Sequence, residues 1–334
     1  MAVIALRGWH PALSRHEAIA MFPESNIQRT TSRRLLIGEG ESNWERADKL
    51  SGTECVLIGG GISKWVSIDQ LISEIQFEKR QNMAIVCWRH EGKLPVSTKE
   101  IEVRLGANFS NMGATMNLEN PEVRFGVILD ASSGLVAWGW MIGQGPGTHG
   151  WSSMNANKRP YFKPISLEPR LARAIVNIAA GIDDGVVIDP MCGTGGFLIE
   201  AGLSGRHSIG IDIDPEMVNG AKENLQWANV EGEVFVGDAA NYCFPKKISG
   251  IVIDPPYGRN SQPSENRVFT KILSHITTNS ACKSLVIVLP NSSGIEDLDE
   301  DIDCGIEIPG FDVKSCLGIP IHKSLCRKVI IAKR

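Results

Sequence analysis

From about residue 166 onward the sequence predicts an α/β fold on a mainly parallel sheet, with a mixed α+β region before it. Three observations carry that expectation. Short apolar runs alternate with amphipathic helical patterns through the C-terminal half. The first four of those runs each end on, or lead directly into, an acidic residue: "GVVID", "HSIGIDID", "EVFVGDA" and "GIVID". A stretch of glycines and one proline, "GQGPGTHG" at 143–150, holds neither helix nor strand and separates the halves.

In chain order, "MAVIALRG", "RRLLIGEG", "ECVLIGGG", "AIVCWRH", "IEVRLGAN" and "VRFGVILDA" read as strands, and "SIDQLISEIQFEKR" as a helix. After the glycine stretch, "WSSMNANKRPYFKP" stays polar and proline-bounded to Ser166. "SLEPRLARAIVNIAAG" then places Leu171, Ile175, Ile178 and Ala179 on one helical face, and Gly181 stops the helix. "GVVID" is a strand, "GGFLIEAGLSG" a helix and "HSIGIDID" a strand. "DPEMVNGAKENLQWANV" is a helix with Asp214 as N-cap, Pro215 in its first turn, and Met217, Ala221, Leu225 and Ala228 inward. Strands "EVFVGDA" and "GIVID", helix "SENRVFTKILSHI" and strand "SLVIVLP" follow. "FDVKSCLGIPIH" and "RKVIIAKR" close the chain as a strand pair. The domain boundaries expected are 1–50, 51–145, a connecting segment 146–164, and 165–334.

Composition narrows the class. The chain has 334 residues, 43% hydrophobic and 22% charged, as ordinary globular proteins do. No run reaches the ~18–20 apolar residues of a membrane span, and the apolar start before Arg7 is too short for a signal peptide. The eight cysteines include no C-x-x-C pair, and Cys304, Cys316 and Cys326 lack zinc-site spacing, so buried free thiols in a reducing cytoplasm are expected, with no metal. Net charge is −4, with neither half strongly charged: 15 basic and 16 acidic residues before position 151, 19 and 22 after it. Phosphate contacts would therefore come from local patches. Candidates are Arg29, Arg33 and Arg34, then Lys158, Arg159 and Arg259. The acidic stretch "EDLDEDIDC" at 296–304 is expected to face solvent.

"VVIDPMCGTGG" (186–196) is a strand, a glycine turn and a helix start. Gly193, Gly195 and Gly196 let a ligand approach the backbone at a helix N-terminus. Asp212 ends the next strand about 20 residues on, where dinucleotide folds place an acid on a ribose hydroxyl. NAD, FAD and S-adenosylmethionine all suit those features. Asp189 tilts the reading, because a carboxylate there repels a pyrophosphate and welcomes a cationic sulfonium ligand with an ammonium tail. Asp238, after the third strand, is placed for an adenine amine. Three acids at three consecutive strand ends fit a cationic adenosine ligand.

"IVIDPPYGRN" (251–260) supplies the second half of a site. Neither Pro255 nor Pro256 has an N–H, so the strand ends in a rigid corner. An exocyclic amine on a base has a delocalised lone pair, and an ordinary aspartate, near pKa 3.9, is too weak a base to strip it. The corner can instead hold both N–H bonds, one on the Asp254 carboxylate and one on the Pro255 carbonyl, and so aim the lone pair. Tyr257 offers a stacking face.

"DPMCGTGGFLIEAGL", "GIDIDPEMVNGAKENL", "GDA" and "DPPYGR" resemble the catalytic domain of the archaeal tRNA guanine-10 N2-methyltransferases. The resemblance runs over roughly 158–334 and takes in "RPYFKPISLEPRLARAIVNIA". It implies a Rossmann-fold class I methyltransferase domain with a mainly parallel seven-stranded sheet, S-adenosylmethionine as cofactor, and tRNA as partner. It places Phe162, Lys163 and Pro164 at the cofactor pocket, with Cys192, Thr194, Ile213 and Ala239 beside the glycines and acids. The chain has Met191 where that family usually has Phe. Upstream, "ATMNLENPEVRFGVIL" resembles the end of a THUMP RNA-binding domain, implying THUMP over 51–145 after a ferredoxin-like N-terminal region. The competing readings are an adenine-N6 DNA methyltransferase, which shares nearly the same tetrapeptide, and a catalytically idle RNA-binding protein with a vestigial cofactor fold. An NAD oxidoreductase is disfavoured, since no Tyr-Lys or His acid pair flanks the glycine turn. No obligatory protein partner is visible.

Overall fold

A computed structural model describes residues 1–147, 151–163, 167–255, 263–291, 299–322 and 325–334. The chain divides into two compact units, Met1–Gly147 and Thr148–Arg334. The division falls inside the glycine stretch that composition singles out.

The first unit is one sheet with helices. Its elements are β1 (Ala2–Leu6), α1 (Pro11–Met21), β2 (Asn26–Arg29), β3 (Leu35–Glu39), β4 (Thr53–Lys64), α2 (Ile68–Glu74), β5 (Met83–Arg89), α3 (Thr98–Asn111), β6 (Val123–Asp130) and β7 (Leu135–Ile142). Strand order is β2-β3-β1-β4-β7-β6-β5, antiparallel throughout except β5 beside β6. The sheet does not break at residue 50. The twelve-residue β4 pairs with β1 on one edge and with β7 on the other. At its irregularity a Cβ on Gly60 would lie 1.9 Å from the Trp138 carbonyl oxygen, so only glycine lets the strands approach.

One expected strand is a helix. "IEVRLGAN" lies inside α3, with Ile101, Leu105 and Phe109 buried at helical spacing and Val103 59% exposed. The alternating reading counts Val103 as an inward residue; the 101-105-109 spacing is the one that packs. The expected helix at 67–80 is real but short, ending at Glu74.

The second unit carries α4 (Pro169–Ala180), β8 (Val186–Asp189), α5 (Gly196–Leu203), β9 (Ser208–Asp212), α6 (Pro215–Trp227), β10 (Glu233–Val236), β11 (Ile248–Ile253), α7 (Pro263–Asn279), β12 (Ser284–Asn291), β13 (Asp312–His322) and β14 (Leu325–Lys333). Strand order is β10-β9-β8-β11-β12-β14-β13, seven strands as the sequence implies. The first five run parallel, and β14 runs antiparallel to both of its neighbours. Order reverses between β8 and β11, and open α/β sheets bind ligands outside the carboxyl ends at such a switch point.

The helices follow their capping chemistry. Asp214 caps α6 by accepting from the Glu216 N–H, with Pro215 at the first turn. Gly181, at φ +55°, ends α4. Two packing faces differ from expectation. α4 buries Leu171, Ile175, Ile178 and Ala179, but also Arg173 and Asn177. On α6 the buried set is Val218, Gly220, Ala221, Asn224 and Leu225, and Met217 is only half-buried. Ala228 is half-buried against the core, and Asn224, one turn earlier on the same face, is buried as well.

The acidic stretch also differs where it is described. Asp299 is buried, and Asp301 accepts from the Ser315 hydroxyl and from the Cys316 N–H at 3.1 Å, tying the loop to β13. Cys55, Cys87, Cys192, Cys282 and Cys316 are buried. Among the described residues, no helix is long and apolar enough to cross a membrane.

The switch point depends on close packing of α4 on β11. A Cβ on Gly250 would lie 2.5 Å from the backbone carbonyl of Ala179. Gly250→Ala is therefore expected to destabilise the protein by about 1–3 kcal/mol, the usual cost of overpacking a core. Urea unfolding checks this, and an unchanged midpoint would contradict it.

Candidate functional site

Asp189 ends β8, next to the central strand β11, and is 2% exposed. Its Oδ1 accepts from the Met191 N–H at 3.1 Å. Burial, chiefly, pushes its carboxyl well above the usual range, and the nearby charges of Asp254 and Asp212 push the same way. A buried acid short of counter-charge is what a cationic ligand would find here.

The glycine turn follows. Gly195, at φ +80°, caps α5, and Gly193, at φ +47°, has nothing within 4 Å of the position a Cβ would take. The turn is held from two sides. Asp212, at the end of β9, accepts from the Gly193 N–H at 2.8 Å and from the Asp214 N–H at 3.0 Å. From α6, Asn224 Nδ2 donates to the Thr194 carbonyl at 2.9 Å and to the Tyr161 carbonyl at 2.8 Å, while its Oδ1 accepts from the Tyr161 N–H. One buried amide thus joins the segment before the first strand to the cofactor turn. Gly220 makes room for the Tyr161 ring, which a Cβ there would meet at 2.1 Å.

One cavity collects these parts. Lys163, Asp189, Cys192, Gly193, Thr194 and Gly196 line it together with Asp254. Leu167, Met191, Phe197 and Met217 complete the wall. Lys163 Nζ lies 3.3 Å from Glu216 Oε1, and the Tyr161 hydroxyl donates to the same oxygen at 2.5 Å. Those partners, Tyr161 first and then Glu216, hold the Lys163 ammonium above the ordinary lysine range. Cys192 is 5% exposed, and burial pushes its thiol far up, so it packs rather than reacts.

Asp254 follows β11 across the switch point from Asp189, half-buried, and Pro255 after it is buried. Asp254 Oδ2 accepts from Arg327 Nη1 at 2.7 Å. Arg327 comes from β14, and no motif in the sequence announces it. Pro164, Pro256, Tyr257 and Arg259 lie outside the described residues.

The remaining expected residues are placed as follows. Ile213 is 75% exposed just after Asp212, a large aliphatic face left in water. Asp238 caps a 3₁₀ turn at Ala239–Asn241, accepting from the Ala240 N–H and from Asn241 Nδ2, each at 2.9 Å. Lys271 Nζ stands 3.7 Å from its Oδ2. Ala239 is buried and Phe162 is 44% exposed. Lys158 is exposed, as a phosphate contact requires.

Two of the expected phosphate contacts interact with buried glutamates. Arg159 is 5% exposed, its guanidinium interacts with the charge of the buried Glu200, and burial lowers its pKa. Glu200 in turn pairs with Arg173 at 2.9 Å, so Arg159 belongs to an interior charge cluster behind α5. Arg34 is likewise structural: Nη2 donates to Glu54 at 2.9 Å and Nε to the Leu6 carbonyl. A sequence does not distinguish an arginine on the surface from one drawn inward by a buried glutamate. A signal for Asn224 is present in the sequence, as a polar residue four positions after Gly220 on an otherwise apolar helix face.

Comparison with known proteins adds independent information. The family profile described as an RMKL-like methyltransferase domain matches residues 156–301. A profile described as DNA methylase matches 64–223, which stops short of Asp254. The tRNA (guanine(10)-N2)-dimethyltransferase of Pyrococcus abyssi is 33% identical over 300 residues, covering 88% of this chain and 80% of that protein. The enzyme of the same name from Methanothermobacter thermautotrophicus is 33% identical over 183 residues, 53% of this chain and 52% of that protein. The chain therefore matches only about half the length of that second relative. Among solved structures, TrmN from Thermus thermophilus superposes over 100% of this chain and 99% of its own, at a TM-score of 0.50 and 17% identity, a likeness of fold.

Asp189 makes stability depend on pH. In the folded chain it keeps its proton above the ordinary aspartate value of about 3.9. The folded state thus binds more protons than the unfolded state from that value up through the raised one, and stability falls as pH rises across this window. Asp189→Asn keeps an oxygen for the Met191 N–H and removes the titration. The ligand-free variant is expected to gain stability over the parent above about pH 4 and to lose the gain below it. Urea unfolding between pH 4 and 8 reads this directly, and parallel pH dependences would contradict it.

Proposed function

This chain belongs to the tRNA (guanine(10)-N2)-dimethyltransferase family, and from that premise we propose that it methylates the exocyclic N2 amine of guanine 10 in tRNA, using S-adenosylmethionine. The observation that carries the reading is the shared cavity: the glycine turn with buried Asp189 on one side of the switch point, and Asp254 on the other.

The chain's residues fit the cofactor. Buried Asp189 lacks a counter-charge that an ammonium or sulfonium supplies. Gly193 leaves open space where any side chain would intrude. Asp212 holds the turn and offers its edge to a ribose, and exposed Ile213 offers an apolar face to adenine. Cys192, Thr194, Gly195 and Gly196 form the backbone cradle, Lys163 borders it, and Asp238 with Ala239 lies at the neighbouring strand end. When bound, S-adenosylmethionine supplies an electrophilic methyl group.

The corner handles the amine. Asp254 accepts one N–H, and the Pro255 carbonyl accepts the other, which turns the nitrogen lone pair toward the incoming carbon. Pro256 keeps that carbonyl rigid, and Tyr257 stacks on the base. Holding nucleophile and electrophile in line can contribute about 7–11 kcal/mol. A guanine inside a helix must leave its stack to reach such a corner. The N-terminal unit, in this reading a THUMP-containing module, grips the tRNA, with Arg29 and Arg33 as phosphate contacts, and Lys158 and Arg259 of the second unit add two more. The DNA-methylase reading is weaker, because that profile omits the corner and the relative that covers most of the chain acts, by its name, on tRNA.

Incubation with labelled cofactor and unmodified tRNA, followed by nucleoside digestion, is expected to yield N2-methylated guanosine, and to yield none when guanine 10 is replaced. Label in N6-methyladenosine, or none at all, would overturn the reading. Asp254→Ala is expected to lower kcat by at least about a hundredfold, the scale of a lost transition-state hydrogen bond. Cofactor affinity by calorimetry should change little, and Asp254→Asn should retain part of the activity because an amide oxygen still accepts. Equal loss of cofactor binding in Asp254→Ala would show that Asp254 serves the cofactor instead.

A further inference from the structure

Arg327 is a buried cation placed at the corner by the last strand. The residue is 6% exposed, and the paired side chains of Arg327 and Asp254 are 7% and 19% exposed. The topology explains how it gets there. β14 runs antiparallel to β12, so its first residues stand at the rim where β8 and β11 end. Arg327 registers with Pro290 of β12 and Ile319 of β13, and from there its Nη1 reaches Asp254 Oδ2.

An exposed ion pair contributes little, whereas removing one partner of a pair largely out of water leaves an uncompensated charge. The groups around Asp254 make this matter. Asp189 of β8 lines the same cavity, and the charges of Asp254 and of Asp212 of β9 both disfavour its ionisation. Lys163 borders the same cavity from the segment before α4, with its ammonium beside Glu216. Carboxylates crowded together do not all ionise cheaply, so a proton settles where counter-charge is missing. Of these acids Asp189 is the one fully buried, and Asp254 has a guanidinium at 2.7 Å.

We propose that Arg327 is a positioning residue for methyl transfer, holding Asp254 ionised and in one orientation so that it accepts an N–H of the target amine. This rests on the reading that Asp254 holds that amine. A protonated Asp254 would present a donor to a group that itself needs acceptors. The pairing also makes Asp254 a weak base until the new bond exists. In the transfer the N–C bond forms, the S–C bond breaks with its electron pair left on sulfur, and nitrogen becomes a strong acid. One of its protons then passes to Asp254 and on to solvent. Arginine suits the task because its planar fork fixes direction as well as charge.

The test compares the full-length parent with Arg327→Met and Arg327→Lys, with Arg327→Gln as a second neutral variant should the methionine protein fail to fold. Carbon-13 NMR of carboxyl-labelled aspartate in the ligand-free protein, with Asp254 assigned by its absence in Asp254→Asn, should show its titration midpoint rising in the neutral variants and staying near the parent value in Arg327→Lys. The acid limb of kcat for tRNA methylation should move to higher pH by the same amount. Below that limb, the rate should fall about tenfold for every pH unit the midpoint rises. KM for the cofactor should stay within about twofold. A folded neutral variant with an unmoved Asp254 midpoint, or an unmoved acid limb, overturns the proposal. If the parent leaves tRNA unmethylated, the functional reading fails, while the NMR titration still decides whether Arg327 governs the charge of Asp254.

Discussion

Asp189 sits 2% exposed at the carboxyl rim of the sheet, with Asp212 and Asp254 at the neighbouring strand ends, and the C-terminal unit is organised around that crowding of negative charge. A domain of this size has a net stability of only about 5–15 kcal/mol, so an uncompensated buried acid is a large local cost. Each carboxylate is managed differently. Asp212 is spent on two backbone N–H groups of the turns around it. Asp254 is paired with Arg327. Asp189 has one backbone N–H, so burial shifts it toward its neutral form. On the proposed reading, the missing counter-charge arrives with the ligand. This is a case in which the arrangement best for binding is not the one best for the empty protein.

The same rim gives direction to the chemistry. Parallel strands bring β8, β9 and β11 to one edge, and reversal of strand order between β8 and β11 opens the crevice there. Antiparallel β14 is the exception, and it delivers its first residues to that edge. A cation near the start of β14 therefore meets an acid just after β11. Arg327 and Asp254 are 73 positions apart in the chain, and topology alone makes them neighbours.

Legibility in the sequence follows the range of the interaction. Features fixed by local chemistry are readable: Asp214 and Pro215 starting α6, Gly181 ending α4, the glycine turn, and acids closing consecutive strands. The seven-stranded sheet follows from the strand–helix alternation together with the family resemblance. Features fixed by distant partners are not readable. Nothing near Arg327 points to Asp254, nothing near Arg159 points to Glu200, and Arg34 looks like any surface arginine until Glu54 is placed beside it. "IEVRLGAN" misleads for another reason, since its apolar residues satisfy both a two-residue and a four-residue spacing, and only packing against the sheet chooses between them. The sheet is continuous across residue 50, because β4 pairs with strands from both sides of it.

The claim that this acidic rim is built for a cationic ligand is tested most directly by proton linkage. S-adenosylmethionine is titrated into the protein at a series of pH values from the ordinary aspartate value of about 3.9 upward, all below the ordinary α-amino pKa of about 7.7–8.0, in buffers of different ionisation enthalpy. The account predicts proton release on binding, as Asp189 ionises against the arriving positive charge, and its loss in Asp189→Asn. Binding heats independent of buffer, or the same release from the asparagine variant, would contradict it.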